Sequence, residues 1–323
     1  MGGLTEQVDA QYLEAIIMAI QNGLNVIDTA LNYRLQKSER IISRALKEMS
    51  NSGIVREDLF ISSKAGFIPG DADKKIHPRD HLIQLRQKKV FKDSEVVMDC
   101  HVMTPGYLDF SINTSLENLE IPCIDLYYLQ NPETQLEMLE EDNFYLQLSR
   151  CFEFLEQMVE DKKITSYGLA TWDGFYLQKG EKRALSLEKV LACAHDVYGV
   201  SNNFQALQLP FNYLTQEAYS LKNQPYSDEN LSILQAAEHS GLKVFFSASL
   251  LKKEVFAHFT DKLDEFFPSL RTQAQKALQF SRSAPGLTSA LVGMRDIHHV
   301  EDNLELFKHA KLGLEEFEEL INN

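Results

Sequence analysis

The feature that most constrains the fold of this chain is a regular alternation of short apolar segments with longer amphipathic ones. Seven short segments are rich in β-forming residues, at 24–28, 59–63, 124–129, 164–170, 204–209, 243–248 and 288–293. Stretches with helical periodicity lie at 7–22, 38–49, 107–119, 146–161, 185–197, 228–239, 270–281 and 298–308. Strands that alternate with helices predict a parallel sheet covered by helices.

Two fold classes share this alternation, the (β/α)₈ barrel and the doubly wound sheet. The chain has no Gly-rich strand-to-helix fingerprint of the doubly wound dinucleotide-binding type, which favours the barrel. Its 323 residues, 44% of them hydrophobic, can bury one large core. We therefore predict a single α/β barrel domain over 1–323.

One strand of the barrel is missing from this pattern. The chain passes from Met1, Gly2 and Gly3 directly into its first helix, and a barrel closes only when its first and last strands pair. Three explanations are open: a start site placed downstream of the true one, which we favour, a real truncation, or a strand supplied by a polar excursion at about 66–105. That excursion would either cover the substrate as a lid or be a loop without function.

Charge and composition restrict the partners. The chain carries 32 basic and 47 acidic residues, a net charge of −15, which disfavours nucleic acid and anionic membranes and favours a small molecule. It has neither a long apolar run nor a signal peptide, which predicts a cytoplasmic location. Cys100, Cys123, Cys151 and Cys193 are far apart, so we expect reduced thiols and no metal site.

Candidate catalytic groups stand at two predicted strand ends, where barrel enzymes place them. Asp28 and Tyr33 delimit the segment DTALNY, and Lys64 lies in SSKAG. A phenol is a weak acid at neutral pH, but a nearby ammonium stabilises its phenolate. The three residues thus form a candidate system for protonating a carbonyl oxygen while a cofactor delivers hydride. Taken singly, each residue type is more often explained by capping, packing or solvation than by catalysis.

Five motifs, in order, resemble segments of the aldo-keto reductases: DTALNY, KSERIISRAL, ISSKAGFIPGD, IDLYYLQNPE and VGMRDIHHVEDN. The resemblance implies a (β/α)₈ barrel of that type, with the first strand absent from this chain. It also implies NADP(H)-dependent reduction of a small aldehyde or ketone to an alcohol. In that family, the positions of Asp28, Tyr33 and Lys64 are those of the ion-pair partner, the general acid and the cation that lowers its pKa.

The fourth catalytic position departs from the family pattern, because Gln130 stands where the family has a histidine. A glutamine amide donates a hydrogen bond but cannot become cationic or relay a proton. Loss of such a positioned group costs about 10² to 10⁴ in rate. The alternative interpretation is therefore a catalytically impaired relative that binds the cofactor or regulates a partner, and Trp172 and Ser247 motivate it too.

The resemblance further implies a set of cofactor-binding residues. These are Thr171, Trp172 and Gln208 at the nicotinamide carboxamide, Ser247 at the nicotinamide ring, Gly293 and Arg295 at the adenosine 2′-phosphate, and Asp302 and Asn303 near the adenine. Asp296 lies beside Arg295 and would repel a 2′-phosphate. We therefore expect NADP(H) from the family pattern more than from charge, with NAD(H) as the alternative.

Overall fold

A computed structural model of the protein describes residues 3–258 and 261–322, so Met1 and Gly2 lie outside the described residues. At its centre is a seven-stranded, all-parallel sheet whose order in space follows the order in the chain. The strands are β1 Val26–Asp28, β2 Phe60–Ala65, β3 Ile124–Gln130, β4 Ile164–Ala170, β5 Phe204–Pro210, β6 Lys243–Ser247 and β7 Ser289–Ala290. All seven predicted strands are therefore confirmed.

Helices follow and cover the strands. They are α1 Glu6–Gln21, α2 Lys37–Ser50, α3 Pro78–Gln87, α4 Pro105–Leu119, α5 Glu141–Glu160, α6 Leu187–Tyr198, α7 Glu217–Ser220, α8 Ile233–His239, α9 Asp261–Phe266, α10 Gln273–Ser283, α11 Ile297–Leu304 and α12 Leu314–Asn322. None of the helices in the described ranges is long and apolar enough to cross a membrane.

Two predicted helices are wrong in part. The helix expected at 228–239 begins only at Ile233, because Glu229–Ser232 pairs antiparallel with Lys222–Tyr226. Ser232 ends this hairpin and caps α8 with its side chain, so one short polar segment changes from strand to helix. The helix expected at 298–308 ends at Leu304 and continues as a 3₁₀ turn.

The sheet curls around its own interior, as in a (β/α)₈ barrel. The rings of Phe60 on β2 and Phe245 on β6 stack with centroids 6.0 Å apart. The side-chain amide of Gln208 on β5 donates to Asp28 Oδ1 on β1 at 2.9 Å. Strands that are not sheet neighbours can touch in this way only if the sheet is strongly curved.

The barrel is open between β1 and β7. Among the described residues, no strand pairs with the outer edge of either, and their side chains are half-buried whereas most of β3 to β5 is fully buried. A cavity of about 1250 Å³ adjoins both edges, and Ile16 of α1 and Leu278 of α10 help to line it. The seven-stranded barrel thus keeps a slot in its wall.

The excursion does not supply the eighth strand, so that explanation of the gap is wrong. Its only strands in the described chain are Val96–Val97 and His101–Val102, which form a separate two-stranded ladder. The excursion is also more ordered than a plain loop, since Pro78 starts α3 behind the cap of His77. Arg40 of α2 fastens it through Asp71 at 2.8 Å.

Candidate active site

The predicted acid system is assembled at the carboxyl ends of β1 and β2. The side chain of Lys64 is 1% exposed, and its Nζ donates to Asp28 Oδ2 at 2.6 Å and to the carbonyl oxygen of Thr29 at 2.7 Å. The same Nζ lies 5.1 Å from the centroid of the Tyr33 ring. The structure therefore brings the three predicted residues together.

Electrostatics keep the lysine charged. Burial lowers the pKa of Lys64, but attraction to Asp28 and Tyr33 outweighs it, and the net pKa is raised above its ordinary value. Asp28 is itself held in place, because Ser62 Oγ donates to its Oδ1 at 2.7 Å beside the Gln208 contact. The charged ammonium is thus fixed beside the Tyr33 ring.

An unusual turn sets the position of Tyr33. The next three residues, Arg34, Leu35 and Gln36, have φ of 50°, 53° and 73°, a left-handed conformation that non-glycine residues adopt at a cost. The contacts of the buried Arg34 offset part of that cost. Its guanidinium pairs with Asp9 and donates to the carbonyl oxygen of Gly3 at 2.8 Å. The turn leaves Tyr33 38% exposed and lining the large cavity.

Gln130 is the last residue of β3 and belongs to the interior face. Leu126 and Tyr128 pack inside the barrel, and side chains two residues apart on a strand share a face. The Tyr128 ring lies 5.8 Å from Lys64 Nζ. Gln130 Oε1 is buried and has no hydrogen-bond partner in the described part of the chain. The fourth predicted residue is thus at the same end of the barrel as the other three.

The predicted cofactor residues divide into two groups. One group lines the same cavity as Asp28 and Tyr33, namely Gln208, Ser247, Gly293 and Asn303. The other group lies outside that lining, namely Thr171, Trp172, Arg295 and Asp302. The cavity therefore connects the acid system with the segment after β7.

Several of these residues have other partners in the structure. Gln208 uses its amide nitrogen on Asp28, and Asp296 caps α11 by accepting from the backbone N–H of His298 at 3.0 Å. Arg295, next to that cap, is exposed. Thr171 is buried, whereas the side chain of Trp172 is 51% exposed. A carboxylate thus already occupies the first turn of α11, which disfavours a second anion there.

Glu133 is a buried group that sequence reasoning missed. Its Oε1 accepts from the backbone N–H of Trp172 at 2.6 Å and of Asp173 at 3.4 Å, while Oε2 is buried with no partner among the described residues. Burial raises the pKa of Glu133 to about 7. Its only sequence signal was its place in the QNPE motif. Glu133 fixes the segment that carries Thr171 and Trp172.

His101 is fully buried against the end of β3. Its Nε2 lies 2.8 Å from the carbonyl oxygen of Gln130. The sequence held no signal for this contact, because the two residues are on different segments and the histidine follows an unpatterned stretch.

Comparison with known proteins identifies the family. The model of the aldo/keto reductase family matches residues 1–195 of the 323. The chain belongs to the aldo/keto reductase family. This membership supports an oxidoreductase function.

Solved structures of aldo/keto reductases resemble the whole chain. An aldo/keto reductase from Klebsiella pneumoniae, in complex with NADP and acetate, is 18% identical with a TM-score of 0.64, over 100% of this chain and 87% of that one. The glycerol dehydrogenase of Gluconobacter oxydans is 17% identical with a TM-score of 0.67, over 99% and 87%. An aldo-keto reductase from Bacillus halodurans, in its holo form, is 15% identical with a TM-score of 0.63, over 99% and 88%. These likenesses confirm the barrel-type fold.

The buried carboxyl of Glu133 leads to a prediction on stability. The pKa of Glu133 is about 7 in the folded chain, above its ordinary value of 4.5. The folded state therefore binds more protons, and stability falls as pH rises from about 4.5 to about 7. Glu133→Gln stays neutral and keeps an oxygen for the two N–H donors. We expect it to raise the free energy of unfolding at pH 8 by on the order of 2 kcal/mol.

Thermal unfolding at pH 5.5 and pH 8 measures this effect, and the gain should be smaller at the lower pH. Glu137→Gln serves as the control, because Glu137 lies in the same turn but is partly exposed. Equal unfolding midpoints for wild type and Glu133→Gln at pH 8 would show that this carboxyl carries no burial cost.

Proposed function

We propose that this chain is an NADP(H)-linked oxidoreductase that reduces a small aldehyde or ketone to an alcohol. One observation carries the proposal: a buried Lys64 ammonium is bonded to Asp28 and adjoins Tyr33. Tyr33 in turn faces a cavity of about 1250 Å³. The free cysteines and the acidic net charge accord with a cytoplasmic enzyme and a small-molecule substrate.

The residues present fit a nicotinamide dinucleotide. The cavity extends from Tyr33 to Gly293 and Asn303 and includes the slot between β1 and β7. Asn32 also lines it, and its buried Oδ1 has no partner among the described residues, so a ligand donor would satisfy it. When bound, the cofactor supplies the hydride.

The residues around the substrate supply the proton, stabilise the resulting phenolate and orient the carbonyl group. Tyr33 donates its hydroxyl proton to the carbonyl oxygen, and the ammonium of Lys64 stabilises the phenolate that remains. Asp28 holds Lys64 in place through their ion pair. Gln130 donates an amide hydrogen bond to the same carbonyl oxygen and thereby orients the substrate, without a change in its own charge.

NADP(H) is the proposed cofactor, with NAD(H) as the alternative. Arg295 is the group that would bind a 2′-phosphate, and its exposure leaves the guanidinium accessible. Asp296 opposes it, because its carboxylate caps the adjacent helix. The preference for NADP(H) rests on the neighbouring family structures that were solved with NADP.

A second candidate function is cofactor binding with little turnover, as in a sensor or regulatory protein. The observation that favours it is the hydrogen bond from Gln208 to Asp28, which uses an amide that the family pattern reserves for the nicotinamide. Gln130 adds to it, because an amide cannot relay a proton. Turnover with a probe aldehyde, measured alongside NADPH affinity, separates the two functions.

The role of Tyr33 gives the most direct test of the chemistry. Tyr33→Phe removes the proton donor and leaves the ring, so we expect NADPH-dependent reduction of 4-nitrobenzaldehyde to fall by at least about 10²-fold. The dissociation constant for NADPH should stay within a few fold, since the phenol is assigned to the substrate. The loss of NADPH absorbance measures the rate of reduction, and calorimetry measures the dissociation constant for NADPH.

Tyr128→Phe is the matched control, because Tyr128 also lies beside Lys64 but is buried and does not line the cavity. Its turnover should stay close to that of wild type. If Tyr33→Phe keeps wild-type turnover, the acid is another group and the mechanism is wrong.

The fourth position gives an independent prediction. Gln130→His restores a side chain that can carry a proton, so we expect a rise in kcat with 4-nitrobenzaldehyde of roughly tenfold or more. The same steady-state assay, repeated from pH 6 to 8, should show a new pH dependence from the imidazole. An unchanged kcat and pH profile would mean that residue 130 does not contact the reacting oxygen.

A further inference from the structure

Both polar groups of the peptide unit between Gln130 and Asn131, its carbonyl oxygen and its N–H, are hydrogen-bonded. Its carbonyl oxygen lies 2.8 Å from His101 Nε2, and its N–H donates to the carbonyl oxygen of Ala170 at 2.7 Å. His101 belongs to the excursion and Ala170 ends β4. The end of β3 is therefore fastened to two other segments at one peptide plane.

The contacts fix the protonation of the imidazole. A carbonyl oxygen only accepts, so Nε2 of His101 must carry the hydrogen. The other ring nitrogen, Nδ1, lies 2.7 Å from Gln135 Nε2 and accepts from it. Burial lowers the pKa of His101 to about 4, so the ring is neutral at physiological pH. Both nitrogens are thus used, each in one defined role.

The fold makes room for this ring. A Cβ added at Gly66 would lie 2.3 Å from the carbonyl oxygen of Gln130 and 2.8 Å from His101 Nε2, so only glycine permits the approach. The ring of Phe67 packs edge-on against His101 with centroids 5.0 Å apart. The backbone N–H of Val102 donates to the carbonyl oxygen of Gly66 at 2.8 Å. Neighbouring groups therefore hold the imidazole from several sides.

Fixing this peptide plane fixes the direction of the Gln130 side chain. Gln130, which precedes this peptide plane, is held by the β3–β4 ladder, where it pairs with Ala170. Asn131, after the plane, has φ of 48° and turns the chain at once. With both sides constrained, the Cα–Cβ bond of Gln130 has one direction, onto the interior face.

We infer that His101 is a positioning residue for carbonyl reduction: through the carbonyl of Gln130 it sets the amide of Gln130 against the substrate oxygen. The inference rests on the proposed function for its kinetic consequence, but the structural link from His101 to the Gln130 peptide is separate from turnover. A displacement of about 1 Å at a reacting group can reduce the rate by about 10²-fold. A histidine that does not touch the substrate can therefore affect the rate by positioning Gln130.

Two substitutions separate positioning from packing. The amide of His101→Asn reaches the place of Nδ1 and can still pair with Gln135, but it is too short to donate to Gln130. The amide of His101→Gln reaches the place of Nε2 and keeps that donor. We expect kcat with 4-nitrobenzaldehyde and NADPH to fall about tenfold or more in His101→Asn. It should recover to within about threefold of wild type in His101→Gln, with KM for NADPH unchanged in both.

His81→Gln is the control within the excursion, because His81 Nδ1 contacts the carbonyl oxygen of Pro69 and not that of Gln130. Its kinetics should match wild type. An equal loss in both His101 variants, or no loss in His101→Asn, would overturn the inference, since a packing role does not distinguish which ring nitrogen is replaced.

A measurement without turnover distinguishes failure of the inference from failure of the proposed function. The backbone amide resonance of Asn131 reports the partner of the Gln130 carbonyl, since both belong to one peptide group. It should shift in His101→Asn and return towards wild type in His101→Gln. This pattern in a protein without turnover would refute the reductase function and keep the structural link, whereas unchanged resonances in both variants would refute the link.

If His101→Asn does not fold, Gln135→Met is the substitute. It removes the donor to Nδ1 and leaves the ring in place, so one of the two contacts that hold the imidazole is lost. We then expect a smaller loss of kcat together with a shift of the Asn131 resonance. Wild-type kcat and resonance in Gln135→Met would overturn the inference.

Discussion

The ion pair between Lys64 and Asp28 is the constraint on which the rest of the site depends. A buried ammonium is very unfavourable without a partner, and removal of one member of such a pair costs about 3–5 kcal/mol. Asp28 must therefore stay opposite Lys64, and Ser62 and Gln208 hold it there. Gln208 reaches Asp28 only because the sheet is curved. The geometry beside Tyr33 and the curvature of the sheet are thus linked through the carboxylate of Asp28.

The strands and most helices could be predicted because their signals are local. Apolar runs and helical periodicity are properties of consecutive residues, and all seven predicted strands are present. The parts that failed have no such periodicity. Strands of two residues, such as Val96–Val97, are too short to alternate, and Glu229–Ser232 changes from strand to helix within a polar run. Tertiary pairing decides the structure there.

The same distinction applies to the site. Asp28, Tyr33 and Lys64 were predictable because strand ends and a family-like motif mark them. Glu133 contacts Trp172, 39 residues away along the chain, and His101 contacts Gln130, 29 residues away. No local pattern records these contacts. The slot between β1 and β7 is likewise a property of the curved sheet, although the count of seven strands pointed to it.

The cavity beside Tyr33 is the proposed binding site of a nicotinamide cofactor. Titration with NADPH and NADH, followed by the fluorescence of Trp172, tests it most directly, because this is the only tryptophan and it follows β4 at the same end of the barrel. We expect saturable quenching, with a lower dissociation constant for NADPH than for NADH. Absence of binding by fluorescence and by calorimetry, in protein that unfolds cooperatively, would contradict it.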